Sequence, residues 1–150
     1  MCNKFIADVH LGRLARALRM LGFDTLYRND YTKTEVVELA ASQRRTVLSK
    51  DPAFGKNSNP FIKIESDNWM DQLKQVLNAC NLKNEIAPFT RCMVCNGMLV
   101  LVNKDEIAGK LEPNTRNYYH EFWQCENCSR IYWKGPHYNR MIKVIQQLDL

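Results

Sequence analysis

The chain has 150 residues, of which 45% are hydrophobic and 25% are charged, a balance typical of a folded globular protein and not of a disordered one. Its net charge of +5 suits an ordinary enzyme as well as a nucleic-acid-binding protein, so charge does not separate these classes. No apolar run approaches the roughly 20 residues of a membrane span, and the first residues lack the basic-then-apolar order of a signal peptide. We therefore expect a cytoplasmic protein without membrane contact.

The first half of the chain alternates short apolar runs with helical periodicity, which predicts βαβ units around a mainly parallel sheet. The helix after the first strand has leucines on one face and is expected to end at Gly22. A second helix is predicted near Lys33 to Gln43, opened by a capping box of Thr32 and Glu35, and a third begins after Ser66. The four expected strands lie near Lys4–Ala7, Asp24–Tyr27, Thr46–Ser49 and Phe61–Ile64.

The second half of the chain holds two Cys-x-x-Cys pairs, in "RCMVCNG" and "QCENCSR". Two such turns present four thiolates, which form the closed tetrahedral shell of a structural zinc, and we favour this over a redox role. The expected ligands of one zinc per chain are Cys92, Cys95, Cys125 and Cys128. We interpret Cys2 and Cys80, which lie outside the pairs, as packing residues. The chain thus divides into a predicted α/β domain at 1–82 and a zinc ribbon with a C-terminal helix at 89–150.

Two predicted strands run into aspartates, Asp8 after the first and Asp51 after the third. If the strand order is 2-1-3-4, both carboxylates lie at the switch point where open α/β sheets bind ligands. Two close carboxylates both ionise only beside a cation, and Mg²⁺ or Mn²⁺ prefers such oxygen ligands. Asp30 and Glu35 are further candidates for this site. Spacing alone leaves an alternative open, in which Asp51 opens a turn before Pro52 and Asp8 caps the first helix.

Basic and aromatic residues form two further candidate surfaces. Arg13, Arg16 and Arg19 are predicted to face away from the leucines of the first helix, where they can meet phosphates, although any exposed helix face has the same pattern. Aromatic and basic residues also cluster at 118–140, where they can stack unpaired bases or close the core of the ribbon. We prefer the packing interpretation for this cluster.

Four segments carry a resemblance to a known family: "FIADVHLGRLARALRMLGFDTLYRND", "TVLSKD", "PFTRCMVCNG" and "EFWQCENCSRIYWKGPHYNRM". They resemble the Mut-seven C-terminal ribonuclease-domain family, in which a PIN-like three-layer α/β domain precedes a small zinc ribbon. The resemblance covers Phe5 to about Ile145 and implies a metal-dependent ribonuclease acting on single-stranded RNA. It matches Asp8 and Asp51 to the family's acids and the four paired cysteines to its ribbon ligands.

One departure from the family pattern keeps two functions open. Where the family usually has acidic residues at the start of the second helix, this chain has Lys33 and Thr34. The leading hypothesis is a ribonuclease in which Asp8 and Asp51, with Glu35 or Asp30, hold Mg²⁺ or Mn²⁺ while the three arginines place the RNA. The alternative is a non-catalytic RNA- or protein-binding module with a degenerate PIN-like pocket.

Overall fold

A parallel sheet of four strands forms the centre of the first half of the computed structural model, which describes residues 2–148. The strands are β1 (Lys4–Ala7), β2 (Asp24–Leu26), β3 (Thr46–Ser49) and β4 (Phe61–Lys63), in the order β2-β1-β3-β4. This is the strand order on which the predicted site of Asp8 and Asp51 was conditional, and the predicted ends of the strands differ by at most one residue. Ala7 of β1 lies opposite Leu48 of β3, so these two strands end side by side.

Helices cover both faces of this sheet and give it three layers. The helices are α1 (Gly12–Met20), α2 (Lys33–Gln43) and α3 (Trp69–Ala79), with a 3-10 helix at Pro52–Lys56 after β3. Because side chains alternate along a strand, Phe5 and Ala7 of β1 pack with the leucines of α1 and α3, whereas Ile6 packs with Val36 and Ala40 of α2. The predicted capping box of Thr32 and Glu35 opens α2. The predicted α/β architecture is confirmed.

The second half forms an antiparallel sheet of three strands, β5 (Leu99–Val102), β6 (Phe122–Cys125) and β7 (Ile131–Tyr132). Helices α4 (Lys104–Ile107) and α5 (Pro113–Tyr118) lie between β5 and β6, and α6 (Pro136–Gln147) follows β7. Met141 of α6 belongs to the buried cluster that also contains leucines of α1 and α3. The division at 1–82 and 89–150 stays a prediction, and its outer ends, residues 1 and 149–150, lie outside the described residues.

Arg19 of α1 joins the two halves from a buried position. Its side chain is 5% exposed, and its guanidinium donates to the Thr25 carbonyl at 2.9 Å and to the Met93 and Val94 carbonyls at 3.2 and 3.0 Å. The prediction that Arg19 belongs to an exposed arginine stripe is therefore wrong, because the end of α1 is covered by β2 and the first cysteine pair. Its donors are used inside the protein and are not available to a phosphate.

A second polar contact between the halves protects the edge strand β2. The Asn96 side chain accepts from the Thr25 N–H at 3.0 Å and donates to Asp24 Oδ1 at 2.7 Å. Arg45 also donates to Asp24 Oδ1 at 2.7 Å. Burial alone raises the pKa of Asp24, but the hydrogen bonds from Arg45 and Asn96 outweigh it and hold that pKa below its usual range. The unpaired edge of β2 is thus closed by the ribbon.

Cys2 and Cys80 form a disulfide between the start of β1 and the end of α3. Their Cα atoms are 5.3 Å apart, within the range that a disulfide spans. Both residues also pack against the main core. The interpretation of these cysteines as packing residues was therefore incomplete, because the sequence gives no indication that these two positions meet.

Among the described residues, no helix combines the length and the apolar character that crossing a bilayer requires.

Replacing Arg19 with methionine should lower the free energy of unfolding by about 2–3 kcal/mol, because the buried Thr25 carbonyl and the part-buried carbonyls of Met93 and Val94 lose their donor. The measurement is urea unfolding of the zinc-loaded protein. Arg16→Met on the exposed face of the same helix is the matched control and should change stability by less than about 0.5 kcal/mol. Equal losses in the two variants would contradict the role of Arg19.

Candidate functional site

Asp8 and Asp51 follow β1 and β3 at the same edge of the sheet, where the Ser49 side chain lies between Asp8 and the Asp51 backbone. The Ser49 hydroxyl donates to Asp8 Oδ2 at 2.7 Å, and its oxygen accepts from the Asp51 backbone N–H at 3.0 Å. Ser49 is fully buried and is the last residue of β3. The two aspartates thus share one edge of the sheet, as the strand order requires. We name the group Asp8, Ser49 and Asp51 the acidic site.

The Asp8 carboxylate is only 9% exposed and is held at both oxygens. Oδ1 accepts from the Val9 N–H at 2.8 Å, while Oδ2 accepts from Ser49. The N-cap position of α1 is Leu11, and no side chain caps this helix. The alternative that Asp8 caps α1 is therefore wrong, and helix capping does not account for its burial.

Asp51 has two local roles that the alternative interpretation anticipated in part. Its Oδ1 accepts from the Ala53 N–H at 2.9 Å, so Asp51 caps the 3-10 helix that begins at Pro52. Its Oδ2 accepts from the ammonium of Lys33 at 2.5 Å. Asp51 can therefore cap the 3-10 helix with Oδ1 and still present Oδ2 to the acidic site.

Lys33 supplies a positive charge to the acidic site from the first residue of α2. The hydrogen bond to Asp51 and the Asp51 charge raise the pKa of Lys33, and Asp8 adds to this effect. The hydrogen bond from Lys33, together with that from Ala53, holds the pKa of the Asp51 carboxyl below its usual range. Lys33 was identified in the sequence as a departure from the family pattern. Its ion-pair partner was not, because the two residues are 18 positions apart.

The other two acidic candidates have separate partners. Glu35 accepts from the Thr32 N–H at 3.1 Å inside the capping box, and Asp30 forms an exposed ion pair with Arg28 at 2.9 Å. Within the part of the chain that the structure describes, neither carboxylate makes a hydrogen bond to the acidic site. The sequence missed Ser49, whose only signal is its position at the end of a buried strand beside Asp51.

Two of the three predicted arginines remain exposed. Arg13 and Arg16 lie on the solvent side of α1, and the Arg13 guanidinium is 5.4 Å from the centre of the Trp69 ring. This helix begins four residues after Asp8. Both arginines are exposed to solvent, and their contact with RNA phosphates stays a prediction.

The acidic site matches a hard divalent ion in the kind of donor that it offers. Carboxylate oxygens are the donors that Mg²⁺ and Mn²⁺ prefer, and Asp8 and Asp51 supply them from two adjacent strands. The ammonium of Lys33, however, already neutralises one of the two carboxylates. The acidic site therefore contains both the oxygen ligands for a divalent ion and a protein cation, the Lys33 ammonium.

The four paired cysteines converge on one point in the ribbon. Their Sγ atoms all lie within 4.8 Å of one another, with Cys92 to Cys128 at 3.7 Å and Cys95 to Cys125 at 3.4 Å. A tetrahedral zinc with Zn–S bonds of about 2.3 Å separates its sulfurs by roughly 3.8 Å. The cluster can therefore hold zinc with four protein ligands, which leaves no position open for chemistry.

Hydrogen bonds in the cysteine cluster favour the thiolate of Cys95, whereas the surroundings of Cys128 disfavour its thiolate in the absence of a cation. Burial raises the pKa of Cys95, but hydrogen bonds from Asn127 and the Gly97 N–H outweigh it and lower that pKa to about 6. Partial desolvation and the neighbouring thiols raise the pKa of Cys128 to about 11, because crowded thiols cannot all ionise without a cation. The Tyr132 hydroxyl lies 3.0 Å from Cys92 Sγ. A Cβ at Gly97 would come within 2.7 Å of Cys125 Sγ, so this turn requires glycine.

Aromatic residues of the cluster at 118–140 pack to different extents, and most of them are half-buried. Phe122 is fully buried, and the Trp123 ring packs edge-on against Phe89 with centroids 4.5 Å apart. Tyr118 differs, since 76% of it is exposed. Packing therefore accounts for Phe122 and in part for the half-buried aromatic residues, whereas the basic residues of the cluster are exposed and the choice between packing and base stacking stays a prediction.

Comparison with protein-family models identifies the family of this chain. A family model described as "Mut7-C RNAse domain" matches residues 3–145, which is nearly the whole chain. Neither the curated proteins nor the solved structures include a match to this chain.

The purified protein should contain one zinc per chain by elemental analysis. Chelation should unfold the ribbon, because its three short strands enclose few buried side chains without the metal. Heteronuclear NMR of the ribbon amides measures this loss. The Cys2→Ser/Cys80→Ser variant is the control, because it removes two sulfurs outside the cluster and should keep the same zinc content. A ribbon that stays fully folded without metal would contradict the assignment.

Proposed function

The chain belongs to the Mut7-C RNAse domain family, and from this premise we propose that it is a metal-dependent ribonuclease that hydrolyses phosphodiester bonds of single-stranded RNA. Family membership suggests a ribonuclease-like function with RNA as the substrate. The finer parts of the proposal concern the acidic site, the divalent ion and the single-stranded form of the RNA.

One observation carries the proposal: the Ser49 hydroxyl bonds both the Asp8 carboxylate and the Asp51 backbone N–H, so two acidic residues of adjacent strands lie at the ligand-binding edge of the sheet. A buried carboxylate costs free energy unless it is paired or put to use. Asp8 is nearly buried and is not a helix cap, and its two oxygens accept one neutral hydrogen bond each, from the Val9 N–H and the Ser49 hydroxyl. A bound divalent cation would compensate the remaining charge.

In this proposal Asp8 and Asp51 hold Mg²⁺ or Mn²⁺ through their carboxylate oxygens. Such an ion lowers the pKa of a bound water and offsets the charge that develops on the phosphate. The Ser49 hydroxyl orients the Asp8 carboxylate, and the Val9 N–H fixes its other oxygen. Arg13 and Arg16 contact the RNA backbone from α1. Glu35 or Asp30 adds a ligand only after giving up its present partner.

The Lys33–Asp51 ion pair favours a second candidate function. When Lys33 already neutralises one of the two carboxylates, a divalent ion compensates less negative charge in the pocket. The chain would then be a non-catalytic module that binds RNA or protein, with a degenerate acidic site. Cleavage and binding must therefore be measured together.

The proposal predicts Mn²⁺-dependent cleavage of labelled single-stranded RNA. Asp8→Asn should reduce the rate by at least about 100-fold through loss of a metal ligand, and Ser49→Ala by about tenfold through loss of its orientation. Asp105→Asn, an exposed aspartate of the ribbon, is the matched control and should cleave at the native rate. Asp30→Asn and Glu35→Gln should have smaller effects than Asp8→Asn.

Fluorescence anisotropy on the same RNA separates the two candidate functions. Native protein that binds the RNA but leaves it intact at all Mn²⁺ concentrations would support the binding module. A double-stranded RNA of the same sequence tests the strand preference, and faster cleavage of the duplex would overturn the single-stranded part of the proposal.

A further inference from the structure

We propose that Lys33 is a tethered cation of the acidic site, whose ammonium occupies the place beside Asp51 that a divalent ion needs and thereby sets the metal affinity of the site. The inference rests on the proposed function for the identity of the metal site. It goes further in naming the residue that controls metal entry.

The position of Lys33 is fixed by local structure at its backbone end. Lys33 is the first residue of α2, directly after the capping box residue Thr32, so its stem starts at a defined point beside the sheet edge. Its ammonium lies 2.5 Å from Asp51 Oδ2, while Oδ1 of the same carboxylate is engaged by the Ala53 N–H. Lys33 therefore holds the carboxylate oxygen that is not already used by the backbone.

Charge around the acidic site is nearly balanced without metal. Asp8 and Asp51 carry two negative charges, and both raise the pKa of Lys33. The positive charges of Lys33 and, more weakly, of Lys56 lower the pKa of Asp51. A divalent ion that approached Asp51 would meet the repulsion of the ammonium at close range, which disfavours its binding. Loss of Lys33 would leave a site whose charge is better matched to a divalent ion.

The ammonium can leave Asp51 without disturbing the core. The Lys33 side chain is 69% exposed, and it borders a cavity of about 370 Å³ between α2 and the 3-10 helix at Pro52–Lys56. Ion pairs with this exposure contribute little to stability, so the pair breaks and reforms readily. Lys33 thus competes with metal reversibly and does not exclude it.

The test measures Mn²⁺ binding to the full, zinc-loaded chain by electron paramagnetic resonance of free Mn²⁺, with no RNA present. Lys33→Met should bind Mn²⁺ about tenfold more tightly than the native protein. Lys33→Arg keeps the charge and should retain native affinity. Lys56→Met removes a more distant ammonium and should change affinity by less than about twofold. Adding Asp51→Asn to Lys33→Met should abolish the gain.

Three results would overturn the inference: unchanged Mn²⁺ affinity in Lys33→Met, no Mn²⁺ binding by that variant, or an equal gain in Lys56→Met. Because the readout involves no RNA, its outcome is separate from that of the cleavage assay. Tighter Mn²⁺ binding by Lys33→Met with no cleavage by any variant would support the role of Lys33 and refute the ribonuclease proposal. Mn²⁺-dependent cleavage by the native protein, with equal Mn²⁺ affinity in the native protein and in Lys33→Met, would support the ribonuclease proposal and refute the role of Lys33.

Discussion

The parallel pairing of β1 with β3 is the constraint on which the acidic site depends. Parallel strands present their carboxyl ends at one edge, and the register that sets Ala7 opposite Leu48 brings the next residues, Asp8 and Ser49, together. The Asp8 N–H continues the ladder to the Leu48 carbonyl at 2.9 Å, so the backbone is still fixed where the carboxylate begins. A shift of one residue in this register would point Asp8 to the opposite face of the sheet.

The ribbon depends on the α/β sheet as well as on its cysteines. Its first cysteine turn receives the Arg19 guanidinium and places Asn96 on the edge of β2, while α6 adds Met141 to the main core. These contacts close an edge strand that would otherwise expose unpaired backbone groups. The zinc-binding turn thus has a second structural function, because the conformation that brings the sulfurs together also positions the residues that cover β2.

The ion pair of Lys33 with Asp51 bears on whether the chain is a metal-dependent ribonuclease or a non-catalytic binding module. Two neighbouring carboxylates require compensation, which a bound ion or a protein cation can supply. In this chain the protein supplies one positive charge itself, through an exposed and reversible ion pair. If the Lys33–Asp51 ion pair is permanent, it supports a degenerate pocket that binds no metal. If the pair breaks and reforms, it supports a pocket whose metal affinity is set by Lys33. The exposure of Lys33 favours exchange.

The sequence by itself determined the main helices and strands of the first half and the four candidate zinc ligands, because hydrophobic periodicity, capping residues and Cys-x-x-Cys spacing are local patterns. The strand order was only a condition of the argument that places Asp8 and Asp51 at one edge, and the tertiary structure decided it. Only the tertiary structure decided that Arg19 is buried, that Cys2 meets Cys80, that Ser49 links the aspartates and that Lys33 pairs with Asp51. Each of these depends on side chains from segments distant in the chain, and helical periodicity cannot tell a solvent-facing arginine from one covered by another part of the protein.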